Sequence, residues 1–467
     1  MKFTRAGLFL VLVGGFVVQP VSEIVAQTFV TLRSFSSQTD GSGPQGLSVV
    51  NGVLYGAARG GGASGNGTLF KLNADGTGFK PLYSFSARSG PYPYTNADGI
   101  NPNPPVISGT VMFGTTLQGG SWGYGTIYRV NTDGTGFTNL HSFTTASGFG
   151  APNEDGANPY GRLVVSGTKV YGTTSGGGHA GSGTVFAINS DGTGFTNVCY
   201  LPGFGGAGFP LAGLVLSGSR LYGTTSVGGN PSAGTVFAVN TDGTGFGTLH
   251  TFAPGEGAYP QTGLLLSVGT LFGTTLDGGS SGIGSVFKIN TDGTGFQSLH
   301  SFTGSGTPLT NVDGGFPNAQ LMLIGNTLYG TASQGGPGGW GTLFAIGVNG
   351  TAFTVVHNFT GGSDGLYPNG ELILWGNSLY GTASGGTSGD GVLFGISLVP
   401  QLTIQQSGPG NVIVSWPTNT AGFTLQSVPD FLTAHVWTAV SPSPVVVNGQ
   451  NTVTTSISGQ RYFRLAQ

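Results

Sequence analysis

Carboxylates are scarce enough in this chain to be followed one by one. Of 467 residues only 17 are Asp or Glu, and most fall into two repeated phrases. Asp75, Asp133, Asp191, Asp242 and Asp292 each open an Asp-Gly-Thr-Gly-Phe phrase. Asp40, Asp98, Asp155, Asp313 and Asp364 each stand in Asp-Gly-x-x-Pro or a near variant. The first set suits Asx turns, in which the side chain accepts from the backbone two residues on. The second set turns at the start of a strand, and it also has a ligand reading. Carboxylates at one repeat position would ring a channel mouth and hold Ca²⁺ or sugar hydroxyls. No copy has the dense spacing of an EF-hand or a calcium-binding nonapeptide, so no cofactor is assigned and the Ca²⁺ signal is weak.

Histidine repeats too. His141, His250, His300 and His357 occupy one position in successive copies. Equivalent positions in separate repeats lie too far apart to share a metal at ~2.0–2.1 Å, so a packing role is expected and no metal site. His179 and His435 stand alone. The single Cys199 excludes an internal disulfide and any Cys-based zinc site. No Gly-x-Ser-x-Gly elbow is accompanied by an obvious His and acid, and Gly176-Gly177-Gly178 lacks the Gly-Lys-Ser/Thr ending of a phosphate loop. A glycosidase-type carboxylate pair would have to come from Glu154, Asp155, Glu256 or Asp277. Aromatic residues are the better lead. Tyr92, Tyr94, Trp122, Tyr124, Phe149, Tyr160, Trp340 and Tyr367 fall in or beside long loops. Flat rings next to Asn, Asp and Thr suit sugars, which are apolar on one face and hydroxylated at the edge. Tyr94, Trp122, Tyr160, Trp340 and Tyr367 join the five Asp of the second set as candidate ligand residues.

The elements that position these residues follow from self-similarity. A Leu-Tyr-Gly phrase recurs at Tyr55, Phe113, Tyr171, Tyr222, Phe272, Tyr329 and Tyr380, at intervals of 50–58 residues. Each copy continues through a Gly-rich loop, an apolar Gly-Thr-Val-Phe-like run and, in most, Asp-Gly-Thr-Gly-Phe. One unit therefore predicts four short strands: Gly-Leu-x-x-Val, Leu-Tyr-Gly-Thr-Thr, Gly-Thr-Val-Phe and Gly-Phe-x-x-Leu-His-Ser-Phe. Each is rich in β-branched and aromatic types and bounded by turn signals. Four-stranded units of this length suit propeller blades. The seventh unit stops after its third strand, Gly391 to Ile396, whereas Thr28 to Phe35 matches the fourth strand and precedes the first unit. The expected fold is all-β: a seven-bladed β-propeller over residues 27–398, closed by its N-terminal strand so that no edge is left open at the seam. Residues 401–467 lack the repeat and alternate apolar with polar types, which predicts a small β-sandwich of fibronectin type III-like kind.

Composition sets the wider class. Gly supplies 91 residues and charged types only 7%, with 31 Phe. Disorder goes with high charge and few aromatics, and Gly is costly inside helices, so both a disordered and a helical chain are excluded. Lys2 and Arg5 precede the apolar stretch Ala6 to Val18, and Ala26 is a plausible cleavage residue, so residues 1–26 read as a signal peptide. No transmembrane segment is expected in the mature chain. The whole chain carries a net charge of −3 with no basic run, which argues against nucleic acid.

The repeat phrase, seven copies over residues 28–396, resembles the tandem GloVer repeats of bacterial surface proteins. The tail resembles short C-terminal modules on secreted proteins of Verrucomicrobia-like bacteria. The resemblance implies export and an extracellular, cell-surface or periplasmic setting, and it carries over no functional residues. The terminal hydrophobic helix and sortase-type motif of anchored members are not seen here, which puts covalent anchoring in doubt. The expected function is a non-catalytic binding or scaffolding module at the cell surface, with polysaccharide or other surface components as partners. The alternatives are a polysaccharide-degrading enzyme and a purely structural surface-layer component.

Overall fold

The computed structural model describes residues 9–11, 29–144, 152–203, 205–304, 310–398, 402–408, 410–417, 424–429, 436–447, 450–456 and 461–466. Secondary structure among them is all β, in antiparallel sheets mostly of four strands. Two compact units are present, one holding 30–373 with 380–395 and the other 1–29, 374–379 and 396–467.

The repeat array folds into seven such sheets. The third is representative: Ala157–Ser166, Lys169–Gly176, Thr184–Asn189 and Thr196–Tyr200 pair in chain order. Its third strand, TVFAIN, is buried at five consecutive positions, because both of its faces are covered. That is why the run is uniformly apolar rather than alternating. The glycine of Leu-Tyr-Gly has a steric reason. Gly172 pairs with Phe186 across the ladder, and a Cβ on it would lie 2.5 Å from the Phe186 ring and 2.6 Å from Leu163. The aromatic ring lies over the glycine and fills the space its missing side chain leaves, which is the aromatic rescue of a strand glycine. The same pair recurs as Gly223–Phe237, Gly273–Phe287 and Gly330–Phe344. In the second sheet the ring is Tyr128, fully buried, with its phenol pushed above the ordinary range by burial.

Two contacts join each sheet to the next. The Phe of Asp-Gly-Thr-Gly-Phe reaches back to the outer strand of the preceding sheet: Phe137 stacks on Tyr83 at 4.1 Å and Phe195 on His141 at 3.9 Å. At the inner end, the proline of the Asp-Gly-x-x-Pro phrase wedges against the glycine that opens the preceding sheet's third strand. A Cβ on Gly67, Gly125, Gly183, Gly234, Gly284 or Gly341 would collide with Pro102, Pro159, Pro210, Pro260, Pro317 or Pro368 respectively. The residue before each of these prolines donates its N–H to the carbonyl just before that glycine, as in Asn158 to Tyr124 at 2.8 Å and Tyr367 to Trp340 at 2.8 Å.

The seam repeats both contacts with the N-terminal strand in place. Phe29–Ser34 is the outer strand of the seventh sheet, paired beside Val392–Ser397. Phe35 donates its N–H to Gly391 at 2.9 Å, and its ring is fully buried against Phe70 and Phe79 of the first sheet. Arg33 lies 4.3 Å over Phe79, where a His or Tyr stands at most other joints and Cys199 at one. Pro44 wedges against Gly391, and Gly43 N–H bonds Asp390 O at 2.8 Å.

The second unit has two sheets around one core. Thr403–Gln406, Asn411–Pro417, Gln450–Ser456 and Val445–Val447 form one, in that order. Arg461–Ala466, Thr424–Val428 and Thr438–Ala439 belong to the other. Val412, Val414, Trp416 and Val453 from the first pack with Leu425, Phe463 and Leu465 from the second. Of the segment assigned to export, Phe9–Val11 is described, as a strand beside Arg461–Ala466, and the rest of 1–26 lies outside the described residues.

Candidate functional site

The five Asp of the second phrase are anchors rather than an open ring of ligands. All are buried, at 3–8% exposure. Asp364 accepts the Thr360 N–H at 3.0 Å and the Thr360 hydroxyl at 2.5 Å, and lies 3.1 Å from His357 Nε2. Asp313 is held alike by Thr303 and His300, and Asp155 by Thr144 and His141. In Asp98 the ring partner is the Tyr83 hydroxyl at 2.7 Å, with Ser86 as the loop partner. In Asp40 it is Arg33, at 2.5 Å, with the Ser36 N–H at 3.3 Å. Each carboxylate thus ties the outer strand to the loop that leads inward. Charge-assisted bonds of this kind are the strong ones, and they hold the carboxylates under cover; of the five, Asp313 keeps one oxygen, Oδ1, buried without a partner among the described residues.

One further copy carries Glu in place of Asp at the same distance from its proline. Glu256 does the same work in the fifth sheet, 3.1 Å from His250 Nε2 and accepting Ala253 N–H at 3.1 Å. The loop into the fourth sheet has Gly206 in place of the carboxylate, and Cys199 of the third sheet stands where the ring partner would be, its thiol pushed up to about 11 by burial. Sheets two, three and six carry a second tie, also missed. Asn96, Asn153 and Asn311, two residues before the Asp, accept from a glycine N–H in each of two loops, as Asn153 Oδ1 does from Gly156 at 2.8 Å and Gly178 at 2.9 Å.

The histidines sit between these carboxylates and the Phe of the next sheet, stacked at 3.8 Å for His250 on Phe296 and for His300 on Phe353. Burial holds His300 and His357 below the ordinary imidazole range, against the pull of their Asp partners. No cluster of three or more metal-ligating side chains occurs among the described residues. The turn Asp residues behave as expected: Asp191 Oδ1 accepts the Thr193 hydroxyl at 2.7 Å and its N–H at 2.9 Å, and these bonds lower its pKa. Asn349 makes the same turn in the sixth repeat, accepting from Thr351. Of the remaining acids, Glu154 is an exposed partner of His179 at 3.8 Å, and burial raises Asp277.

The aromatic candidates divide. Tyr94 is half-buried, packed edge-on to Tyr92 at 5.9 Å with Arg88 4.2 Å over its face. Tyr160 is half-buried beneath Arg59 at 5.1 Å. Trp122 is exposed. Trp340 and Tyr367 are exposed neighbours, 5.8 Å between ring centres, and Trp340 rests on the backbone of Gly361. Phe149 and His435 lie outside the described residues.

Tyr367 belongs to a set that spacing alone did not expose. It is the residue before the wedge proline, and in all seven sheets that residue has positive φ: Gly43, Asn101, Asn158, Phe209, Tyr259, Phe316 and Tyr367. Left-handed backbone is easy for Gly and tolerable for Asn, but strained for bulky residues. Sheets one to three use Gly and Asn there, and sheets four to seven use aromatics at φ 49–55°. Tyr259 and Tyr367 remain 40% and 41% exposed, so packing does not account for their rings.

Just inside this position each inner strand bulges, and the bulges from all seven sheets line one cavity of about 130 Å³. Arg162 reaches across it from the third sheet. Its guanidinium meets Glu371 of the seventh at 2.8 Å, Leu47 O of the first at 2.6 Å, the Ser48 hydroxyl, and Pro105 O of the second at 3.1 Å.

Comparison with known proteins agrees with the repeat and the architecture. Residues 149–327 match the family model of the Gloeobacter/Verrucomicrobia repeat, the family that the repeat phrase resembles. No curated protein matches the chain. Among solved structures, β-propeller proteins match. The GH74 xyloglucanase from Xanthomonas campestris aligns at 11% identity with a TM-score of 0.50, over 84% of this chain and 59% of that one. Oligogalacturonate lyase from Vibrio parahaemolyticus aligns at 10% identity with a TM-score of 0.48, over 84% of this chain and 98% of that one.

Proposed function

We propose that the chain is an exported, non-catalytic binding module: a seven-bladed β-propeller over residues 27–398, latched by its N-terminal strand, with a small fibronectin type III-like sandwich at 401–467. Its ligand is carbohydrate at the cell surface, taken on the rim where the inner strands begin. The propeller reading is supported by the two joint contacts, which recur from sheet to sheet and again at the Gly391–Pro44 seam. Export is supported by Lys2, Arg5 and the apolar stretch that follows.

One observation carries the binding reading. Four sheets place an aromatic ring where the backbone would be better served by the Gly or Asn of the other three, and while Phe316 packs on the core, Tyr259 and Tyr367 keep their rings exposed. Strain kept at one equivalent position is a mark of a functional demand on the side chain. Sugar rings stack on such faces, and Trp340 beside Tyr367 offers two of them within 5.8 Å.

The test is a polysaccharide and glycan screen on the mature chain, with and without Ca²⁺, followed by Tyr259→Asn and Tyr367→Asn. Asn is the residue that sheets two and three carry there, so the fold should keep or gain stability. Each loss of a stacked ring should weaken binding roughly fivefold, about 1 kcal/mol. A folded protein that binds no glycan, or binding indifferent to both changes and to Trp340→Ala, refutes the proposal.

A further inference from the structure

The cavity between the inner-strand bulges has the chemistry of a second site, separate from the rim. Its wall holds buried polar atoms that the protein leaves unsatisfied. Asn103 is 1% exposed, and its Nδ2 donates to Thr115 Oγ1 and to Pro159 O, both at 2.9 Å, while its Oδ1 has no partner. Asn369 Oδ1, Arg59 Nε and Arg162 Nε are likewise buried without a partner. Unpaired buried polar groups are costly, so four on one cavity call for an occupant. Two are acceptors and two are donors, a mixture that hydroxyl groups, which both donate and accept, satisfy best.

The charge is unbalanced as well. Three charged side chains line the cavity, Arg59, Arg162 and Glu371. Arg162 and Glu371 neutralise each other at 2.8 Å. Arg59 makes no ion pair among the described residues and lies over the Tyr160 ring, itself part of the wall. The cavity therefore presents one uncompensated guanidinium beside a collar of amides, in the space of several waters. Gln45, Gln261 and Asn318 on the wall are partly exposed, so solvent reaches it.

We infer that this cavity binds a small hydroxylated carboxylate, with the carboxylate on Arg59 and hydroxyls on Asn103 Oδ1 and Asn369 Oδ1. The order of preference follows from the wall. A sugar acid or aldonic acid satisfies both the charge and the amides, a neutral sugar only the amides, and a simple carboxylate only the charge.

Isothermal titration and ligand-observed NMR on the mature chain would use D-gluconate and D-galacturonate, with glucose and acetate as the single-feature probes. Binding of one hydroxy acid per chain is expected, at least tenfold tighter than glucose or acetate. Arg59→Gln should remove that preference over glucose. Glu371→Gln should act the other way, because it frees Arg162 for the carboxylate, and tighten binding severalfold. A gain of affinity cannot come from a damaged fold. No binding of either acid at 10 mM-order concentrations (roughly −2.7 kcal/mol or weaker) by the folded protein would show that water alone fills the cavity. Binding that ignores both substitutions, or glucose binding as tightly as the acids, would equally overturn the assignment. Neither outcome bears on glycan binding at the rim.

Discussion

Phe35→Ala tests whether the N-terminal strand is part of the ring or an ornament on it. Phe35 is fully buried, edge-on to Phe70 at 5.0 Å and to Phe79 at 5.8 Å, both of the first sheet. Its backbone is bonded to the seventh sheet through Gly391 and Ser388. Truncating a buried Phe to Ala removes its transfer free energy and leaves a cavity, a loss of about 3–5 kcal/mol. Phe143 supplies an internal standard: it holds the equivalent place between the second and third sheets, fully buried against Phe186 at 5.6 Å and Phe195 at 5.9 Å. If the seam is a joint like the others, Phe35→Ala and Phe143→Ala shift the denaturant midpoint equally, with the slope unchanged. If the strand is dispensable, Phe35→Ala shifts it by under ~1 kcal/mol while Phe143→Ala keeps its full effect. That second result would refute closure by the N-terminal strand.

Two further outcomes follow from the packing. Gly172→Ala should destabilise by about 1–3 kcal/mol through overpacking, although Ala normally improves a strand glycine. Phe186→Leu in the same chain should recover part of that loss, and a raised melting temperature for Gly172→Ala alone would contradict the ring-over-glycine geometry. On acidification, His300 and His357 bind protons more weakly folded than unfolded. Their contribution is therefore intact above the unfolded value near ~6.5 and is lost as pH falls below it toward the folded values. The denaturant midpoint should decline from pH 7.5 to 5, and His300→Gln with His357→Gln should flatten that decline. The turn Asp residues, whose pKa values are lowered by their Thr partners, act in a separate window below ~4 and should leave a second decline untouched.

The repeat made much of the fold readable, because glycine, Asp-Gly turns and strand composition are local signals. The permuted fourth strand was visible for the same reason: Thr28 to Phe35 carries its own repeat signature. The site was less readable. The Asp-Gly phrase reads as a turn at the start of a strand or as a ring of ligands, but the carboxylate is covered because the strand it bonds to lies outside its own local phrase. The residue partnering it changes from Arg33 to Tyr83 to His141, and only burial shows that the three are equivalent. The proline of that phrase held more information than its Asp. A bulky residue before a proline, at the start of an inner strand, was the available clue to Tyr259 and Phe316. Arg162 left no clue at all, since its partners lie 57 to 209 residues away in sequence.

The seam also sets an order on the birth of the protein. Ser37 and Asp390, bonded across it at 2.9 Å, are 353 residues apart in sequence. The strand synthesised first among the sheets has no partner until the strand synthesised last among them has emerged. Each middle repeat can fold onto the one before it as it appears, but the circle stays open until then. A chain cut short anywhere in the array leaves the first strand unpaired and an inner edge bare, and a bare edge is a template for pairing with other chains. The same delay keeps the polypeptide open while it is still being made, so that on the export proposed above it would cross the membrane before it closes.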